Sequence, residues 1–138
     1  MNGKTPAYLT LLAVTIFVAL VLTLQPYSAD WPGRDFARPA QHYVRAAIRR
    51  DSVGLARLST SIAPVVWALG AARAHPDSLA LWARNAHAWT GERRGDTTEV
   101  FFYSAGDGCA EAPIVFRFVG SGDAARVLRA SSACFDPR

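Results

Sequence analysis

The sequence predicts an α+β chain in which an N-terminal transmembrane helix precedes about three helices packed on a curved four-stranded antiparallel sheet. Three observations predict it. Residues 8–24, YLTLLAVTIFVALVLTL, are an unbroken apolar run. Between residues 40 and 72 apolar side chains recur at helical spacing, as expected of helices that bury one face. After Asn85 the pattern turns to short runs rich in valine, phenylalanine and threonine, punctuated by glycine, which reads as strands and hairpins. Helices first and strands afterwards is the α+β order.

The apolar run sets the expected location. At about 1.5 Å per residue it covers roughly 25 Å, and the stretch from Pro6 to Pro26 about 30 Å, the thickness of a bilayer core. Pro6 suits a first helical turn and Pro26 a stop. Tyr8 at one end, with Tyr27 and Trp31 at the other, would set amphipathic rings at both headgroup levels. A cleaved secretory signal is the rival reading. Signal cores are about 7–15 residues long and precede a small-x-small site, whereas Tyr27-Ser28-Ala29 offers a bulky tyrosine. The expected division is a short cytoplasmic N-terminus over 1–7, a span over 8–25, a linker over 26–38 and a periplasmic α+β domain over 39–138. Lys4 on one side and Arg34 and Arg38 on the other nearly balance the positive-inside count, so orientation falls to the cysteines.

The formal net charge is +4, from 15 basic and 11 acidic residues. Lys4 is the lone lysine, and the arginines are scattered through the chain. Nucleic-acid binding calls for a clustered basic stripe with a known motif, and neither is present. Nucleic acid is not an expected partner.

Residues 26–39, PYSADWPGRDFARP, contain three prolines and a glycine and read as an extended linker. Trp31 and Phe36 within it are large and apolar, and are candidate contacts to a neighbouring protein. Pro39 suits the start of a helix to about Arg50, with Ala40, Val44, Ala47 and Ile48 on one face. Asp51-Ser52 can cap a second helix carrying Val53, Leu55 and Leu58. Ile62, Val65, Val66, Leu69 and Ala72 continue at helical spacing up to His75-Pro76, and Asp77 or Ser78 can cap one more short turn through Leu81 and Trp82. Residues 86–91 and 97–105 form the first expected hairpin, joined by 92–96. Residues 113–119 and 124–133 form the second, around Gly120-Ser121-Gly122-Asp123. Val100-Phe101-Phe102-Tyr103 is apolar on both faces, as in a central strand covered on both sides, which makes Phe101 and Tyr103 further candidate protein contacts. Val115-Arg117-Val119 alternates, so one face there is partly wet.

Cys109 and Cys134 are the only cysteines. If the second hairpin closes at Ser121-Gly122, residue 115 faces 128, 117 faces 126, and 109 faces 134. The two cysteines then lie opposite one another and form a disulfide. Such a bridge closes a loop of about 25 residues and would stabilise by roughly 3 kcal/mol. Disulfides persist outside the cytoplasm, and this favours the external orientation: bacterial inner membrane, N-terminus cytoplasmic, domain periplasmic.

No catalytic set emerges. Two cysteines and the dispersed His42, His75 and His87 match no zinc, haem or iron–sulfur spacing, so no metal or cofactor is expected. No Gly-x-Ser-x-Gly elbow occurs. Glu92, Asp96, Asp107, Glu111 and Asp123 fall in expected turns. His87 alternates with Trp89 on one strand and could line a pocket.

The order of elements, opening on a helix with Ala40, Tyr43, Ala47, Arg50-Asp51 and Leu55 and ending in strands at Phe135, resembles the NTF2-like (cone-shaped α+β) superfamily over residues 38–135. That resemblance implies a pocket between sheet and helices near Trp67, Trp82, His87 and Trp89, without implying what fills it, and it carries over no catalytic residue. The expected function is therefore that of a non-catalytic, single-span accessory subunit of a larger bacterial membrane complex. Photosynthetic reaction-centre–antenna complexes are the named example, on general architecture. A membrane-tethered NTF2-like module that binds or senses a small ligand is the alternative.

Overall fold

A computed structural model describes residues 5–24, 34–104, 109 and 112–136. The chain divides into two compact units, Met1–Trp31 and Pro32–Arg138. In the first, helix α1 runs Thr5–Leu24. Its described side chains, Ala7 to Val21, are exposed on every side, and the Thr15 hydroxyl donates back to the Leu11 carbonyl at 2.9 Å, which keeps that polar group satisfied within the helix.

Among the described residues no helix is long and apolar enough to cross a membrane. This overturns the expected transmembrane helix over 8–25. Tyr8 is exposed; Tyr27 and Trp31, expected at the far interface, lie outside the described residues, as does the linker up to residue 33.

The second unit places four helices, rather than three, on one face of a four-stranded antiparallel sheet. A 3-10 turn at Arg34–Phe36 leads into α2, Ala37–Ile48. The helix starts two residues before Pro39 because the first four helical N–H groups have no partner in the helix, so a proline among them costs nothing. α3 spans Ser52–Leu58, and the Asp51 carboxylate accepts from the Gly54 N–H at 2.8 Å, the expected cap. α4 spans Ile62–Ala74 and α5 spans Pro76–Asn85. α5 is a full helix where a single turn was expected: Pro76 is pre-organised for a first helical position, and Leu79, Trp82 and Ala83, spaced to share one face, are buried.

The strands are β1 His87–Arg94, β2 Thr97–Tyr103, β3 Ile114–Val119 and β4 Arg126–Ser131, in spatial order β1-β2-β3-β4. The first hairpin is tighter than expected. Arg94 pairs directly with Thr97, and Gly95 makes the turn at φ 65°, a conformation that suits glycine.

The second hairpin has a different register from the expected one. Val115 pairs with Ser131, Arg117 with Arg129 and Val119 with Arg126, with a shift between Arg117 and Phe118. The cause is the loop. Residues 122–124 form a 3-10 turn, the Ala124 and Ala125 N–H groups donate to Ser121 and Gly122 carbonyls, and Gly120 and Gly122 adopt positive φ. These residues are taken out of the ladder, and the bulge restores the burial of Val127 and Ala130 on the inner face.

Between helices and sheet sits an aromatic core. Phe36 stacks on Phe118 at 4.8 Å, Tyr43 meets Phe116 edge-on at 5.6 Å, and Trp82 meets both Phe102 and Phe116 at 6.1 Å. The Tyr43 hydroxyl donates to the Pro64 carbonyl, tying α2 to α4. The outer edge of β4 is covered by the α3–α4 joint: Ser59 bridges Val127 in parallel, the Thr60 N–H donates to the Val127 carbonyl, and Arg126 donates to the Ser59 carbonyl at 2.9 Å.

Candidate functional site: the outer face of the sheet

Strands alternate their side chains between two faces. On the helix side of β2 and β3, Thr98, Val100, Phe102, Ile114, Phe116 and Phe118 are buried. The other face carries Glu99, Phe101, Tyr103, Val115, Arg117 and Val119, and among the described residues no helix of the unit lies on it. A central strand covered on both sides was expected. In the chain itself Phe101 remains 38% and Tyr103 42% exposed.

This outer face has two adjoining parts. An apolar depression of about 390 Å³ is lined by Phe101, Phe102, Tyr103 and Pro113. A polar one of about 210 Å³ is lined by Glu99, Val115, Arg117, Arg129 and Ser131. Val115 joins them, since it pairs with Phe101 on one side and Ser131 on the other. Within the polar part, Arg117 donates to the Glu99 carboxylate at 2.8 Å. Arg129, directly opposite Arg117, makes no ion pair among the described residues. Like charges directly across a ladder repel, so one positive charge is left over at the rim of an apolar surface.

On neighbouring β1, Arg94 and Glu92 form a further ion pair at 3.0 Å. The Arg94 guanidinium holds the Glu92 carboxyl below its ordinary range; both groups are solvent-exposed, so the pair is screened.

The remaining expected site residues disperse. Phe36, expected to meet another protein, is 4% exposed and belongs to this domain's own core; the 3-10 turn before α2 directs it onto Phe118. Trp67 and Trp82 do not border one open pocket. Trp82 is fully buried in the aromatic core, and Trp67 turns to the C-terminal segment, where its Nε1 donates to the Asp136 carboxylate at 2.6 Å. The same carboxylate oxygen accepts from the Ser132 N–H at 2.9 Å. His87 pairs in register with Tyr103, and the register shifts between Ala88 and Thr90; the side chains of His87 and Trp89, expected to line a pocket, lie outside the described residues. Cys109 and Cys134 form the expected disulfide, with Cα atoms 5.4 Å apart. Their pairing does not depend on the expected register, because β3 begins at Ile114 and β4 ends at Ser131, leaving both cysteines outside the ladder.

Among the described residues no three histidine, cysteine, aspartate or glutamate side chains gather as a metal site. The arrangement on the outer face can bind, through apolar area and one uncompensated guanidinium. Arg129, Ser131 and Pro113 were missed from sequence. The alternation of Val115, Arg117 and Val119 signalled the wet face, but the expected register set Arg117 opposite Arg126, where the structure pairs it with Arg129. No family model, curated protein or solved structure matches the chain.

Proposed function

We propose that this protein is a non-catalytic accessory subunit of a larger bacterial membrane protein complex, with its α+β domain on the periplasmic face. The observation that carries the reading is α1. Ten of its large apolar side chains, from Tyr8 to Val21, are 39–69% exposed, a continuous apolar surface far beyond what an isolated chain in water retains. Apolar surfaces of other subunits are the natural cover for it. The Cys109–Cys134 bridge fits an oxidising compartment.

The ligand-binding alternative is weakened by the interior. The centre of the core between helices and sheet is filled by Tyr43, Trp82, Phe102 and Phe116, all fully buried, and the depression of about 340 Å³ that Trp67 lines with Ala63, Pro64 and Leu128 does not include Trp82. Extraction of the native protein in mild detergent, followed by native electrophoresis and mass analysis, tests the proposal. The chain is expected to migrate in a stoichiometric larger assembly, and a form lacking residues 1–31 is expected to leave it. Free monomer under the same conditions refutes the reading.

A further inference from the structure

The outer face of the sheet joins an exposed apolar surface to an unneutralised arginine. We propose that this face docks a segment of a partner protein that carries an apolar side chain close to an aspartate or glutamate. The apolar side chain covers Phe101, Tyr103 and Pro113, and the carboxylate meets Arg129. The proposal deepens the accessory-subunit reading by naming the chemistry of the partner.

The charges select this occupant. Glu99 is engaged by Arg117 at 2.8 Å, and Arg126 is drawn to the Ser59 carbonyl at the sheet edge. Arg129 is left beside Arg117, so an incoming carboxylate relieves a repulsion already present in the free chain. A second copy docked face to face would set Arg117 and Arg129 against their own counterparts, and like charges across an interface suppress association. The apolar depression lies two cross-strand pairs away, Phe101 with Val115 and Val115 with Ser131. Neighbouring strands are about 4.8 Å apart, so the two parts are about 10 Å apart, and residues two to four apart in an extended segment can reach both. The aromatic anchors supply contact area and the arginine supplies orientation.

Selection of a random dodecapeptide display library against the full chain tests the proposal, with selected peptides mapped by amide chemical shifts. Enriched peptides are expected to hold an aspartate or glutamate within a few residues of an aromatic or branched apolar residue. Their shifts should centre on Phe101, Val115, Arg117 and Arg129. Arg129→Glu is expected to weaken them about tenfold or more while leaving the melting temperature unchanged or raised, which separates lost binding from lost folding. Lack of enrichment, peptides without acidic residues, or a footprint elsewhere overturns the proposal. Binding of Arg129 to phosphatidylglycerol vesicles in place of any peptide overturns it too, by assigning the face to lipid. Because the accessory-subunit reading is judged on co-migration with a larger assembly, either proposal can fail without the other.

Discussion

Tyr43 shows how one side chain can hold two elements and set a pH response. It is fully buried, packs edge-on against Phe116 and donates to the Pro64 carbonyl on α4. Burial raises its pKa above the ordinary tyrosine value. Below about pH 10 the residue is neutral in both folded and unfolded chains, so it contributes no pH dependence there. Above that, the unfolded chain ionises while the native one stays neutral, and stability falls as pH rises. Tyr43→Phe is expected to lose about 1 kcal/mol at neutral pH, the net contribution of one buried hydrogen bond, since the Pro64 carbonyl lies in the first turn of α4 and keeps its helical partner. It should also flatten the alkaline limb; urea titrations at pH 7 and above pH 10 measure both. Trp82, by contrast, is fully buried with its Nε1 unpartnered among the described residues, so its contribution is apolar packing against Phe102 and Phe116.

At the scale of elements, α3 is seven residues long and depends on its cap, because so short a helix is marginal alone. Asp51→Ala is expected to cost about 1 kcal/mol, read as a shift of the denaturation midpoint at unchanged slope. A β-carbon at Gly54 would lie 2.3 Å from the Asp51 carboxylate, so Gly54→Ala should remove the same cap by displacing it. The helices and the existence of both hairpins were legible because apolar spacing and the Asp51 cap act locally. The register of β3 on β4 was not. It depends on how many residues from Gly120 to Ala125 leave the ladder, and a turn composition rich in glycine is compatible with several answers. The exposed face followed the same limit: Phe101 and Tyr103 were visible as large apolar residues, while the partner of Arg117 required the true register. Phe36 was misplaced because a residue before a helix can reach that helix's own core.

For the whole molecule, the Cys109–Cys134 bridge joins the segment before β3 to the one after β4. Its sequence separation of 25 corresponds to roughly 3 kcal/mol of restricted chain entropy in the unfolded state. Reduction is expected to lower the stability of residues 32–138 by about that amount, measured as a denaturant midpoint with and without reductant. The native fold should persist, because the aromatic core and the Trp67–Asp136 tie do not pass through sulfur.

The cover over β4 by Ser59 and Thr60 has a consequence for self-assembly. The sheet's two margins are unequal: one is closed by the chain itself, and among the described residues nothing pairs with the far side of β1. A protein with a single open margin can join one like molecule, edge to edge about a twofold axis, and the union then presents two sealed rims. Open-ended stacking into fibrils by strand addition would first have to strip the α3–α4 joint from its seat.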